Sequence, residues 1–127
     1  MKFVLDTFAW IEYFNGSESG KKVSELIESE ENDIFSSIIT IAEVSSILKR
    51  KEENIELGYQ TIINLSKIYF INPEFAKEAG ILHAETRKKI KDFGMADSIV
   101  LLTARKLGAK ILTGDPHFKG FKEAVLI

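Results

Sequence analysis

The sequence predicts an α/β fold with three layers, in which helices cover both faces of a central parallel sheet. Short, nearly continuous apolar runs such as Phe3–Leu5 are typical of strands that are buried on both faces. These runs alternate along the chain with longer segments of helical periodicity, as expected of strand–helix–strand units. Because no linker or internal repeat separates the 127 residues, we expect a single domain over residues 1–127.

The first half of the chain is predicted to contain strands and helices in alternation. Thr7 can cap a short helix that Asn15-Gly16 ends, and Ser36-Ser37 can cap a later one. Asn54 is a candidate cap for the helix after that. The predicted strands cover residues 2–5 and 34–35, and the helices cover residues 8–14, 20–29, 39–52 and 55–65.

The second half continues the same pattern. Asn72-Pro73 is expected to open a helix, since proline at the first helical position removes no hydrogen bond. The predicted strands cover residues 68–71, 110–113 and 124–127, and the helices cover residues 73–89 and 94–106.

Composition excludes several classes of site. The chain has no cysteine, so a disulfide framework, a thiolate zinc site and a thiol nucleophile are all excluded. Only His83 and His117 offer imidazole, which argues against a zinc site built on several histidines. No apolar run reaches the length of a membrane span, and residue 2 already belongs to a strand. We therefore expect a cytoplasmic protein that makes no membrane contact.

Four carboxylates lie where apolar residues or turns are usual, namely Asp6, Glu43, Asp97 and Asp115. Each alone has an ordinary explanation: a cap or turn for Asp6 and Asp115, an exposed helix position for Glu43, and a first-turn acid for Asp97. Asp97, however, shares a helix face with apolar residues three, four and seven positions later. In parallel sheets ligands gather at the carboxyl ends of the strands, where Asp6 and Asp115 are predicted to lie.

The four acids together predict a divalent cation. Clustered carboxylates without a counter-charge would repel one another and raise each other's pKa. Mg²⁺ or Mn²⁺ prefers oxygen ligands, offsets this repulsion, and stabilises charge on a phosphate undergoing attack. The chain contains no Gly-x-Ser-x-Gly elbow and no glycine-rich phosphate loop, so water is the expected nucleophile.

Two groups of cations could contact a nucleic-acid backbone. The net charge of −2 does not suggest bulk binding of nucleic acid. Local basic segments at helix ends can simply complement the helix dipole and face solvent. Alternatively they form a basic rim that guides a polyanion towards the acids. The candidates are Lys49, Arg50, Arg87, Lys88, Lys89 and Lys91.

Four segments of the chain resemble the PIN domain, and within it the small toxin ribonucleases of prokaryotic VapBC toxin–antitoxin pairs. These segments are Phe3–Thr7, Thr40–Val44, Met95–Val100 and Ile111–Phe118. The resemblance covers nearly the whole chain. It implies a parallel sheet with an acidic pocket at the strand ends, and cleavage of RNA that depends on Mg²⁺ or Mn²⁺. It also implies a cognate antitoxin and a homodimer.

Carried over residue by residue, the resemblance implies that Asp6 and Asp97 bind the metal directly. Glu43 and Asp115 would complete the site, as ligands or as groups that orient water and ligands. Thr7 and Thr113 would line the pocket and orient the carboxylates. The sequence departs from the family pattern at two positions, where His117 replaces an acid and Phe8 replaces a small or polar residue.

Two alternatives remain open from the sequence. A PIN fold could serve as an RNA- or protein-binding module with little or no nuclease turnover, because an intact set of acids indicates capacity and not rate. On the first helix, Trp10, Tyr13 and Phe14 are candidates for a partner surface or for the core. A phosphatase or phospho-acceptor domain is disfavoured, because Asp6-Thr7-Phe8 lacks the second acid of an Asp-x-Asp motif.

Overall fold

Five strands and six α-helices alternate in the computed structural model, which describes residues 1–127. The strands are β1 (Lys2–Leu5), β2 (Asp33–Ser37), β3 (Lys67–Tyr69), β4 (Lys110–Thr113) and β5 (Ala124–Leu126). The helices are α1 (Thr7–Asn15), α2 (Glu18–Glu28), α3 (Ile38–Arg50), α4 (Ile55–Leu65), α5 (Pro73–Arg87) and α6 (Met95–Leu107). A short 3-10 helix, Pro116–Phe118, follows β4.

All five strands are parallel and form one sheet in the order β3-β2-β1-β4-β5. The chain builds outward from β1 to β3, then returns to the other side of β1 with β4. The topological switch point therefore lies between β1 and β4, and this is where open parallel sheets place their ligands. The carboxyl ends of these two strands lead to Asp6 and Asp115.

The sheet has a core on each face, which confirms the predicted three-layer architecture. Successive residues of a strand point to opposite faces. Accordingly Leu5 and Leu112 belong to a core with α1 and α3, whereas Val4 and Ile111 belong to a core with α6. Trp10 is fully buried in the first core, and its indole Nε1 donates to Ser36 Oγ at 2.9 Å. Tyr13 and Phe14 pack partly buried against the same core.

Several predicted boundaries were wrong, chiefly at helix starts. Asp6 and not Thr7 caps α1, because its Oδ1 accepts from the backbone N–H of Ala9 at 2.9 Å. Ser17 caps α2, so that helix begins earlier than predicted. Strand β2 includes the serines expected to follow it, and Ser37 both ends the strand and caps α3.

The remaining differences are small. Helix α3 ends at Arg50 and α5 at Arg87, each two residues before the predicted end. Strand β3 ends at Tyr69, and the 3-10 helix after β4 was not predicted. None of the helices combines the length and the apolar character needed to cross a bilayer.

A candidate metal centre at the carboxyl ends of β1 and β4

Four acids from separate segments of the chain line one cavity of about 250 Å³. Asp6 follows β1, Asp97 lies in the first turn of α6, and Asp115 comes two residues after β4. Glu43 lies in the second turn of α3. The structure thus brings together all four acids singled out in the sequence. The other residues that line the cavity are Thr7, Phe8, Ala96, Val100, Gly114 and Pro116.

Asp6 is the most buried of the four acids, with 7% of its surface exposed. Desolvation raises the pKa of Asp6 to about 7, and the nearby charges of Asp115 and Asp97 act in the same direction. Hydrogen bonds from Thr113 and from the backbone of Ala9 lower the pKa but only partly offset the burial. At neutral pH a proton and a cation therefore compete for this carboxylate.

Thr113 connects two of the acids. Its buried hydroxyl donates to Asp6 Oδ2 and accepts from the backbone N–H of Asp115 at 2.9 Å. A single side chain at the end of β4 thereby fixes one carboxylate and the start of the loop that carries another. Thr7 has a parallel role, because its hydroxyl donates to Glu43 Oε1 at 2.6 Å and links α1 to α3.

Asp97 is held by the start of its own helix. The backbone N–H of Gly94 donates to Asp97 Oδ2 at 3.0 Å. Burial raises the pKa of Asp97, and the charges of Asp115 and Glu43 raise it further, against the lowering effect of the Gly94 hydrogen bond. The apolar face predicted for this carboxylate corresponds to Val100, which is buried and lines the cavity.

His117 adds a nitrogen to the acids. Its backbone N–H donates to Asp115 Oδ1 at 2.9 Å, in the 3-10 helix that follows β4. Its imidazole Nδ1 lies 3.0 Å from the same oxygen and 3.9 Å from Asp97 Oδ2. The direction of Nδ1 does not suit a hydrogen bond, so this buried atom has no hydrogen-bond partner.

The donor set fits a divalent cation. Asp97, Asp115 and His117 each offer one ligand atom, and these atoms lie within 4.8 Å of one another. A buried nitrogen without a partner beside two carboxylates is suited to Mn²⁺ as well as to Mg²⁺, because imidazole is a softer ligand than oxygen. The sequence showed His117 only as a departure from the family pattern. Its position two residues after Asp115 in a tight turn was the available signal.

None of the predicted basic residues lines the cavity, and no other lysine or arginine does so. Lys49 and Arg50 occupy the last turn of α3, and at 1.5 Å per residue they lie about 10 Å along the helix from Glu43. Lys89 and Arg105 line a separate groove. Arg105 lies about 12 Å along α6 from Asp97. Arg87, Lys88 and Lys91 are exposed. Contact of these six residues with a nucleic acid stays a prediction.

Comparisons with known proteins find a family that matches the sequence and solved structures that match the fold. The sequence pattern of the PIN domain matches residues 3–124. In structure, the chain is similar to VapBC2 from Rickettsia felis bound to a promoter DNA fragment, with a TM-score of 0.75 and 20% identity over 100% of this chain and 98% of that chain. It is also similar to a toxin–antitoxin complex from Klebsiella pneumoniae, with a TM-score of 0.72 and 23% identity over 96% and 94% of the two chains.

A third similar structure is the sarcin–ricin loop cleaving toxin VapC20 from Mycobacterium tuberculosis, with a TM-score of 0.72 and 17% identity over 95% of this chain and 97% of that chain. At these identities the solved structures establish the shared fold. No curated protein matches the chain in a sequence comparison.

Proposed function

This chain belongs to the PIN domain family, and we propose that it is an endoribonuclease that hydrolyses RNA phosphodiesters with the help of Mg²⁺ or Mn²⁺. One observation carries the proposal. Four carboxylates from separate segments converge on one cavity, and no lysine or arginine lines that cavity to neutralise them. Burying acids in this way costs free energy unless a cation offsets their charge.

The four acids form two pairs with different roles in the proposed site. Asp6 and Asp97 would hold the cation directly, and Asp115 and Glu43 would complete the ligand set or orient water. His117 Nδ1 is a further candidate ligand, because it is buried without a hydrogen-bond partner. A bound divalent cation would offset the repulsion among the acids, lower the pKa of water and stabilise negative charge on the phosphate.

The side chains around the acids prepare them for this role. Thr113 fixes Asp6 Oδ2, and the backbone of Ala9 fixes Asp6 Oδ1, so the carboxylate is oriented before any ligand arrives. Thr7 orients Glu43 in the same way. Mutation of a side chain that hydrogen-bonds to a metal ligand typically lowers metal affinity or activity by about 10- to 100-fold. We therefore expect Thr7 and Thr113 to be positioning residues.

We extend the proposal to a toxin that a cognate antitoxin blocks. Support comes from the solved structures of similar fold, one of which is a toxin–antitoxin complex and another a sarcin–ricin loop cleaving toxin. A homodimer is expected from the same resemblance and stays a prediction.

The proposal is tested by incubating the purified chain with RNA in Mn²⁺, in Mg²⁺ and in a chelator. We expect cleavage only with a divalent cation, and a loss of more than about 100-fold in Asp97→Asn, because a first ligand is removed while side-chain volume is kept. Asp33→Asn is the matched control, since Asp33 is exposed at the start of β2, at the opposite edge of the sheet.

The same experiment separates the nuclease from a binding module. A binding module would retain RNA in Asp97→Asn and show no cleavage in the unaltered chain with either metal. Cleavage that persists in the chelator, or that is equal in Asp97→Asn and Asp33→Asn, would contradict the proposed function.

A further inference from the structure

The mouth of the acidic cavity carries an exposed aromatic ring. Phe8 is the second residue of α1 and follows Asp6 by two positions. It lines the cavity with the acids and keeps 38% of its surface exposed. A large apolar side chain left in solvent next to a polar site gains nothing for folding from its exposed part. The exposed part of the ring is therefore accessible to a ligand at the cavity.

The loop after β4 is shaped around this ring. A Cβ added to Gly114 would overlap with Phe8 Cε1, Cζ and Cδ1. The absence of a side chain at Gly114 thus lets the ring lie directly against the backbone beside Asp115. The loop packs against the Cδ1, Cε1 and Cζ atoms of the ring and holds it beside the cavity.

The cavity is too small to enclose both nucleotides that flank a phosphodiester. Its volume of about 250 Å³ is below the roughly 300–1,000 Å³ of pockets that enclose a whole small molecule. If a phosphodiester reaches the acids, the bases of the neighbouring nucleotides must lie outside, at the mouth. The apolar residues that line the cavity are Phe8, Ala96, Val100 and Pro116. Phe8 is the only aromatic residue among them, and it is partly exposed to solvent.

Within the cavity, no cationic side chain supplies this substrate contact. No lysine or arginine lines the cavity, and the surrounding acids repel the phosphate backbone. Stacking on an aromatic side chain holds a base irrespective of charge and is a major source of affinity for single-stranded nucleic acid. Only an unpaired base that can leave its own stack is able to reach such a ring.

We propose that Phe8 is a stacking platform for one unpaired nucleobase next to the phosphodiester that the chain cleaves. This inference rests on the proposed function and adds to it a residue that contacts the substrate next to the cleaved bond. Gly114 is the residue that gives the ring its position.

The test compares Phe8→Leu, which keeps an apolar side chain but removes the aromatic face, with Phe8→Tyr, which keeps the face. On a short single-stranded RNA with one mapped cleavage site, Phe8→Leu should raise KM by about 10-fold with little change in kcat. Phe8→Tyr should restore the KM of the unaltered chain. Tyr59→Leu is the matched control, because Tyr59 is 39% exposed on α4 and does not line the cavity.

Substrates with a single abasic nucleotide locate the base. An abasic nucleotide on one side of the cleaved bond should raise the KM of the unaltered chain to that of Phe8→Leu. It should have no further effect on Phe8→Leu itself, since the interacting partner is already missing. Binding of Mn²⁺, measured by calorimetry, should be equal in the unaltered chain, Phe8→Leu and Phe8→Tyr.

Three outcomes would overturn the inference. The first is cleavage by the unaltered chain with a KM that Phe8→Leu does not change. The second is equal loss in Phe8→Leu and Phe8→Tyr, which would indicate a packing role. The third is an unchanged KM together with weaker binding of a co-purified protein, which would assign Phe8 to a protein interface. If the unaltered chain neither cleaves nor binds RNA with Mn²⁺ or Mg²⁺, the proposed function fails as well, so the two failures are distinguishable.

Discussion

The sheet has one edge where the strands begin and one edge where the strands end, and each buries a carboxylate in a different way. At the edge where the strands begin, Glu123 is 8% exposed and its Oε2 lies 3.4 Å from Arg105 Nε. At the edge where the strands end, Asp6 is 7% exposed and its neighbours are hydroxyls, backbone N–H groups and other acids. The two carboxylates are thus about equally buried, but Glu123 has a cationic side chain beside it and Asp6 has none.

This difference shows that the fold pairs the buried charge at the edge where the strands begin and leaves it unpaired at the edge where the strands end. Other cations at the first edge donate to backbone carbonyls: Lys2 Nζ to O of Leu107, the last residue of α6, at 3.4 Å, and Lys110 Nζ to O of Lys122, in the turn before β5, at 3.0 Å. That edge satisfies its own charges. The edge with Asp6 does not, so the free energy of burying its carboxylate would be offset either by a bound proton or by a cation supplied from solution.

The largest expected effect comes from removing the charge of Asp6. Its pKa of about 7 in the fold exceeds the usual 3.8, so between these pH values the folded chain holds a proton that the unfolded chain has lost. The free energy of unfolding of the metal-free chain should therefore fall as pH rises from 4 to 7, by about 4 kcal/mol from this group. Asp6→Asn should remove that slope and be the more stable protein at pH 8.

Urea unfolding of the metal-free chain at several pH values measures this difference. The two proteins should have similar stability near pH 4, where Asp6 is protonated and neutral. Asp33→Asn should follow the unaltered chain throughout, since that acid is exposed. Parallel stability curves for Asp6→Asn and the unaltered chain would contradict the asymmetry between the edges.

An intermediate effect is expected from Thr113→Val, which keeps side-chain volume and removes the hydroxyl shared by Asp6 and Asp115. We expect Mn²⁺ affinity, measured by calorimetry, to fall by about 10- to 100-fold, because the orientation of two acids is lost together. Thr103→Val is the matched control, since Thr103 is also buried but its hydroxyl donates to Ile99 O within α6. Equal affinities in the two variants would show that Thr113 does not position the acids.

The smallest effect is expected at the paired edge. Glu123→Gln should lower the free energy of unfolding by about 1 kcal/mol, because Arg105 is half-exposed and can be hydrated once its partner is neutral. Cleavage of RNA should remain within about twofold of the unaltered chain, as the residue is far from the acids. Chemical denaturation and the cleavage assay measure both quantities. A large loss of cleavage would mean that the two edges are coupled.

The sequence was sufficient for features that depend on local pattern. Apolar runs located β1 and β4, Asn54 was correctly predicted as the cap of α4, and Pro73 correctly located the start of α5. The meeting of Asp6 with Asp115 followed from the rule that strand ends share an edge in a parallel sheet. Asp97 was singled out by the apolar helix face that it shares with later residues, whereas Glu43 has an ordinary helix position and depended more on the family resemblance.

The sequence does not predict where a helix carries its side chains, or which of two possible partners a side chain binds. Lys49 and Arg50 follow Glu43 closely in sequence, but α3 carries them away from the cavity. At Asp6-Thr7 both residue types are good caps, and only the position of Glu43 shows why the hydroxyl of Thr7 is used elsewhere. The free Nδ1 of His117 depends on the 3-10 turn after β4, which periodicity does not reveal.

The position of β1 between β2 and β4 also bears on synthesis of the chain. Asp6 and Glu43 belong to the part that a ribosome makes first, whereas Asp97 and Asp115 come after residue 94. Until β4 emerges, β1 has one unpaired side and the acids of the first half have no partners across the switch point. A nascent chain therefore carries no complete site, and any degradation of RNA by this protein begins only after translation has passed β4.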